Sequence, residues 1–170
     1  MSKAIVIVDE KDNVIGFEDK FKIHKVPVKL HRAISILIYN KDRSKMLITR
    51  RALTKPTWGG YWSNAVCTHP YPNESYQAAA ERRLFEELGI ETSLKEFCCF
   101  TYEAGMDDGV WGEHELDHVF SGVYEGEVIA DPDEISEYKW VEIQNLRKDI
   151  KSNPKKYSPW FKIILRKLDV

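Results

Sequence analysis

Apolar and polar positions alternate along the first third of the chain in the manner of paired strands. The run AIVIV, the turn-rich DEKDN and the following VIGFEDK predict a hairpin. RAISILIYN and KMLITRR predict two more strands, separated by the polar turn KDRS. The pattern then breaks at ALTKPTWGGYWSNAV, where aromatics, Gly and Pro predict a loop that lines something. A helix is expected from about Glu74 to Leu88, with Asn73 as its cap and Gly89 as its stop. Within it Tyr76, Ala80, Leu84 and Leu88 recur every fourth position as a buried stripe, and Arg83 and Glu87 pair on a neighbouring face. Strands are expected again over FCCFTYE, HELDHVFSGVYE and EYKWVEI, and helices from Ile143 onward, the last beginning after Ser158 and Pro159. No repeat or Gly/Ser linker interrupts this order. The expectation is an α+β fold, a mixed sheet with flanking helices, in one domain over residues 1–170.

Composition narrows the function classes. At 170 residues and 43% hydrophobic content, the chain holds one proper core. The net charge of -2, with basic residues interspersed among acids, predicts no nucleic-acid partner. The start MSKAIVIVDEKDNVIG is unlike a secretory signal and no stretch is long enough to cross a bilayer, so no membrane role and a cytoplasmic location are expected. Three cysteines argue against a disulfide framework. Cys98 and Cys99, inside the apolar FCCF, are expected in the core. Cys67 differs, because it stands among polar groups.

Cys67 and His69 are two residues apart in AVCTHP, and Glu113 and Glu115 two apart in GEHEL. In extended chain each pair leaves the same face, so each aims two reactive groups into one pocket. His24 and His31 in KIHKVPVKLH add two imidazoles. The cluster of His24, His31, His69, Glu113 and Glu115 suits Mn, Zn or Fe, and less well Mg. A structural zinc site would be richer in Cys, so this donor set points to an open, catalytic ion. On spacing alone the alternative stays open that these are separate surface or hydrogen-bonded residues. His114 and His118 fall in the other phase and are expected to be structural. Arg51, Lys55 and Arg83 invite a phosphate reading, since guanidinium groups grip phosphate oxygens in pairs and Lys adds a point charge.

Three stretches together, TRRALTKPTWGGYWSNAVCTHP, ESYQAAAERRLFEELGI and WGEHELDHVF, resemble the type I isopentenyl diphosphate isomerases, a branch of the Nudix superfamily. With KFKIHKVPVKLH before them and YSPWF after, the resemblance spans nearly the whole chain. The helix resembles a Nudix box that is imperfect. Thr68 holds the first Gly position, Glu74, Arg82, Glu86, Glu87, Gly89 and Ile90 fit, and Arg83 replaces a Glu that Nudix hydrolases use for metal. A cation in place of a carboxylate favours holding a diphosphate over hydrolysing it.

The resemblance implies that His24, His31, His69, Glu113 and Glu115 bind one divalent ion, Mn2+, Zn2+ or Mg2+. It implies further that Glu87 and the Cys67 carbonyl bind Mg2+ with the substrate diphosphate, which Lys20, Arg51, Lys55 and Arg83 neutralise. The implied reaction shifts a double bond between isopentenyl and dimethylallyl diphosphate. Protonation of the alkene gives a tertiary carbocation, and loss of a proton from the other side completes the shift. Cys67 and Glu115 would be the two proton-transfer groups, Tyr102 would assist Glu115, and the Trp160 indole would stabilise the cation. The aromatic loop around Trp58 to Trp62 and the N-terminal segment are expected to keep water out. The rival readings are a Nudix pyrophosphohydrolase and a catalytically silent metal-binding interaction domain.

Overall fold

A computed structural model describes residues 4–168, so the expected domain over 1–170 reaches slightly past them at both ends. The predicted hairpin forms as β1 (Ala4–Val8) and β2 (Val14–Asp19), followed by a single turn of helix, α1 (Lys20–Ile23). Next come β3 (His31–Tyr39) and β4 (Lys45–Arg51), the short β5 (Trp62–Ser63) and β6 (Val66–Thr68), and the helix α2 (Tyr76–Leu88). Long strands β7 (Lys95–Gly105) and β8 (Gly112–Val123), then β9 (Ile135–Glu142), lead to α3 (Ile143–Ser152) and α4 (Pro159–Lys167). The α+β expectation and the predicted strand order hold.

Everything of consequence hangs on β3. It pairs antiparallel with β1, β4 and β6 and parallel with β8, and all of its residues except Arg32 are buried. Ile34, Ile36 and Ile38 leave one face and pack with Val66, Phe120 and the α2 residues Ala80, Leu84 and Leu88. Leu37 and Tyr39 leave the other and pack with Val119, Trp160 and Phe161 of α4. A strand apolar on both faces is the mark of a sheet covered on both sides, and each fully buried Leu or Ile here contributes roughly 1.5–3 kcal/mol. His31 and Ser35 share the α4 face of β3, so the polar site is cut into an otherwise apolar layer.

Two details differ from expectation. The long helix starts at Tyr76, capped by Ser75, whose hydroxyl accepts the Ala78 N–H at 3.1 Å. Asn73 instead adopts a left-handed turn, and Glu74 is held outside the helix by Arg82. Gly89 does close the helix, with φ of 65° and its N–H on Phe85 O. The core expectation holds only in part for the cysteines: β7 pairs only with β8 among the described residues, and Cys98 is half-buried against the core on the α4 side while Cys99 is exposed. Consecutive residues of a strand leave opposite faces, so an edge strand packed on one face alone hides only one of them.

Candidate active site

The cross-strand register builds the site's backbone. Glu115 of β8 stands opposite His31 of β3 on one side and Tyr102 of β7 on the other. Directly opposed residues project to the same face, so imidazole, carboxylate and phenol form a row. Cys67 of β6 stands opposite Ser35 of β3, and His69 lies one alternation further along. His24 reaches the same place from the end of α1, which Asp19 caps by accepting the Phe21 and Lys22 amides. Glu113 completes the group with an oxygen 3.1 Å from His24 Nε2.

The three imidazoles form a near-equilateral triangle, with ring centroids 5.1, 5.1 and 5.2 Å apart. His24 Nδ1 donates to Lys20 O at 2.6 Å and His31 Nδ1 to Lys29 O at 2.8 Å. A carbonyl can only accept, so each ring's proton sits on Nδ1 and its Nε2 lone pair faces inward. His31 Nε2 and Glu113 Oε2 are buried without a hydrogen-bond partner. Leaving such groups unmet costs about 1–3 kcal/mol each. Donor atoms of His24, His31, His69 and Glu115 lie within 4.8 Å of one another. Two inward lone pairs, a third imidazole and two carboxylates fit a divalent cation, which would satisfy both orphaned atoms at once.

The field acts unevenly on these ligands: burial works to lower His24, but the Glu113 carboxylate outweighs it and raises the ring above its ordinary value, so an ion would displace a proton there. Burial presses His69 down to about 3, against the pull of Glu115, so the ring is neutral. Burial alone would raise Glu115, but the His31 and His69 imidazoles beside it outweigh burial and hold the carboxylate well below its usual range. Its Oε1 lies 3.1 Å from His69 Nε2, and Oε2 accepts the Tyr102 hydroxyl at 2.5 Å. Behind it Asp117 is fully buried, accepts Ser35 Oγ at 2.8 Å, and is driven well above the carboxylate range by burial and by Glu115.

Beside the imidazole cluster lies a pocket of about 210 Å³. Cys67, Trp160, Tyr102 and Glu115 line it, together with Lys20, Arg51, Lys55 and Arg83. Trp160 Nε1 donates to Cys67 Sγ at 2.8 Å and to Ser63 Oγ at 3.0 Å, and the Cys67 thiol donates to Asn64 Oδ1 at 3.1 Å. Desolvation pushes that thiol up to about 12, so it holds its proton. The Arg51 guanidinium lies 5.1 Å from the centroid of the Trp160 ring, whose face therefore already accepts a cation. Trp58 packs edge-on against Trp160 at 5.5 Å and is almost fully buried, so it backs the indole from behind, while the start of the loop, Thr54 to Thr57, lines the pocket itself. The loop's tight return depends on glycine: a Cβ at Gly59 would meet Lys55 O at 2.8 Å, and Gly60 has φ of 81°.

The basic side has its own acid. Arg83 donates to Glu87 at 2.5 Å, to Glu134 and Glu86 at 2.9 Å, and to Thr68 Oγ1 at 3.1 Å. Glu134 also pairs with Lys55, and these two cations outweigh burial to hold its carboxyl down to about 2. Glu87 and Cys67 share a second small cavity of about 10 Å³ with Arg51, Lys55 and Glu134, room for about one water-sized guest.

Similarity to known proteins agrees with this layout. The NUDIX domain pattern matches residues 29–161. The chain is 42% identical over 160 residues to isopentenyl-diphosphate Delta-isomerase 2 of Aromatoleum aromaticum, covering 94% of this chain and 83% of that protein. It is 38% identical over 168 residues to isopentenyl-diphosphate Delta-isomerase of Serratia proteamaculans, covering 99% and 92%. The chain belongs to the Nudix family, in its isopentenyl-diphosphate Delta-isomerase branch. Solved structures agree on the Nudix fold alone: DR0079 from Deinococcus radiodurans has a TM-score of 0.78 at 18% identity, covering 96% of this chain and 98% of that one. A MutT protein from Methanosarcina mazei has a TM-score of 0.65 at 20% identity, covering 82% and 93%.

Within this Nudix frame the structure brings together every residue singled out from sequence. His114 and His118 lie on the opposite face, His118 stacked on Tyr76 of α2 at 3.7 Å. Three residues were not anticipated. Asp117 continues the phase of Glu113 and Glu115, so the same alternation argument reaches it. Glu134 lies in the acidic turn DPDEI, and Asn64 directly before AVC, but neither has a spacing that marks it as a partner of Arg83 or Cys67.

Proposed function

We propose that the protein interconverts isopentenyl diphosphate and dimethylallyl diphosphate by protonation and deprotonation in the pocket described above. The observation that carries this reading is the pairing of a protonated Cys67 thiol with an ionised Glu115 carboxylate around one pocket. Together they offer one proton to give and one seat to receive, the requirement of a reversible 1,3-proton shift without hydrolysis. The Tyr102 hydroxyl, hydrogen-bonded to Glu115, extends that carboxylate's reach by one O–H and relays the proton.

The substrate's diphosphate would sit among Lys20, Arg51, Lys55 and Arg83, and its alkene would lie between the Cys67 thiol and the Tyr102–Glu115 pair. The carbocation formed by protonation faces Trp160, an interaction of about 2 kcal/mol when desolvated. Trp58 and the α1 segment bearing Phe21 exclude the water that would quench it. When bound, a transition-metal ion such as Mn2+ or Zn2+ on the imidazole-rich site would keep Glu115 ionised, and Mg2+ on Glu87 and the Cys67 carbonyl would neutralise diphosphate charge. The reduced, unpaired cysteines fit the cytoplasm as the compartment, and the reaction would supply isoprenoid building blocks there.

A pyrophosphohydrolase is disfavoured by Arg83, which puts a guanidinium where that chemistry wants a third metal carboxylate. A silent metal-binding domain has no use for a protonated thiol and an indole beside its ligands. The test is incubation with isopentenyl diphosphate and Mg2+: the product should be an isomer of unchanged mass. Release of phosphate or pyrophosphate, or no turnover of either isomer, would overturn the reading.

A further inference from the structure

The edge strand β7 carries side chains that the catalytic site does not use. Donor atoms of Glu96, Cys99 and His118 lie within 4.8 Å of one another, on the α2 side of the sheet and outside the catalytic pocket. Two features of the β7–β8 ladder bring them together. Cys99 stands directly opposite His118, so thiol and imidazole leave the same face. Simple alternation would send Glu96 to the face opposite Cys99. The register shifts between Glu96 and Cys98, however, and Phe97 is left without a partner on β8, so Glu96 stands opposite Phe120 and rejoins the side of His118. A bulge of this kind re-aims the side chains before it. Without it β7 would offer His118 only a thiol.

The imidazole is held before any ligand arrives. Tyr76 of α2 stacks on it at 3.7 Å, with 21° between the rings. Tyr76 in turn donates its hydroxyl to Asp12 at 3.0 Å and lies under the Arg32 guanidinium, 5.2 Å from the ring centroid. His118 Nδ1 lies 2.7 Å from Glu96 Oε1, and because a carboxylate can only accept, the ring's proton sits on that nitrogen. A carboxylate and an imidazole nitrogen that share one proton can share a cation in its place. Cys99 sets a free, exposed thiol beside them.

We propose that Glu96, Cys99 and His118 form a second metal site, for a thiophilic divalent ion such as Zn2+, with water in the fourth position. Thiolate and imidazole together select Zn2+ or Co2+ over Mg2+, and Zn–ligand distances of about 2.0–2.3 Å let three donors this close meet one ion. On binding, the His118 proton passes from Nδ1 to Nε2 and the Cys99 thiol loses its proton to solvent. The bonds that form run to the ion from Nδ1, from Sγ and from a Glu96 oxygen. The donor set differs in kind from the imidazole cluster, which has no sulfur ligand. The ion would also clip β7 to β8 three residue pairs from Tyr102 and Glu115, on a strand with no other strand partner among the described residues. The isomerase reading uses none of the three residues, so the site stands apart from it.

The test is a titration of the reduced full chain with Co2+, in excess Mg2+, read by absorbance. A sulfur-to-cobalt charge-transfer band should grow and saturate, and added Zn2+ should erase it. Cys99→Ser should abolish the band, whereas Cys67→Ala and Cys98→Ser should keep it, since neither thiol belongs to the site. His118→Gln and Glu96→Gln should each raise the Co2+ needed for half saturation by at least about tenfold. The metal-free melting temperature and the isomerase constants of Cys99→Ser should match the wild type, which separates loss of the ion from loss of the fold. No band at Co2+ concentrations that fill the imidazole cluster would overturn the proposal. A band that survives Cys99→Ser, or that is lost in Cys67→Ala, would do so as well, because the sulfur would then lie in the catalytic pocket. So would a band indifferent to both His118→Gln and Glu96→Gln, since the thiol would then bind the ion without its neighbours. A chain that binds Co2+ through Cys99 yet fails to isomerise keeps this site and removes only the catalytic reading.

Discussion

Replacing Arg83 by Met keeps most of the side chain's bulk and removes its charge. The guanidinium is the direct partner of Glu87, which is 3% exposed, and shares Glu134 with Lys55. Breaking a buried pair by deleting one member costs about 3–5 kcal/mol, because the remaining charge is stranded. For a chain of this size that corresponds to a fall in melting temperature of roughly 6–20 °C. The deficit should depend on pH. Burial already lifts the Glu87 carboxyl above its usual value despite Arg83 and Lys55, and without Arg83 it must rise further. A raised carboxyl binds its proton more tightly folded than unfolded. Its favourable contribution is therefore complete below the unfolded value near 4.5 and lost as pH climbs through the folded one. The variant should thus lie nearer the wild type at pH 5 than at pH 8. Thermal unfolding of both proteins in chelator, at several pH values, measures this directly. Equal deficits at the two ends of the range, or none at all, would show that Glu87 is not stranded and that Arg83 is a surface residue.

Cys67→Ala should abolish isomerisation while the melting temperature changes little, since only a sulfur is lost; a folded variant with near-normal turnover would remove Cys67 from the mechanism. His69→Ala should lose the ion held by the imidazole triangle, and elemental analysis finding full occupancy would refute its ligand role. Glu115→Gln keeps an oxygen ligand but not the titrating carboxyl, so turnover should fall by at least ~100-fold. In heavy water the wild type should place deuterium on the product methyl, and product free of solvent deuterium over many turnovers would end the two-group scheme.

The elements were legible where one physical rule acts alone. Strand alternation located β1 to β4 and β7 to β9, and the fourfold spacing of Ala80, Leu84 and Leu88 located α2. The helix start was misplaced because Asn73 and Ser75 are both good caps, and the contest is settled by Arg82, eight residues from Glu74, which no local rule weighs. Cys99 departs from the expected core because hydrophobicity says nothing about which strand ends at a sheet's edge, whereas Cys98 does pack against the core. For the site, i,i+2 spacing found the donor pairs within each strand. It could not find which strands meet, so Asn64 and Glu134, whose importance arises only from partners brought in by tertiary contact, went unseen.

That division explains how one face of a sheet can carry both a cation site and a proton pair. His31, Glu115 and Tyr102 occupy adjacent strands in direct register, so the spacing among ligand, shared carboxylate and proton relay is set by backbone hydrogen bonds, the least compliant contacts in the molecule. Glu115 is the hinge of the arrangement: one oxygen faces the imidazoles and the other the Tyr102 hydroxyl. Electron withdrawal on the first side lowers the basicity on the second, so the ion sets how readily Glu115 takes a proton from Tyr102. Cys67 is fixed by different means, through Asn64 and Trp160, but burial, which raises its thiol most, is reinforced by the charge of Glu115. The two proton-transfer groups are therefore linked through that carboxylate, and a change of ion should alter the Glu115 side of the pH profile most and the thiol side less.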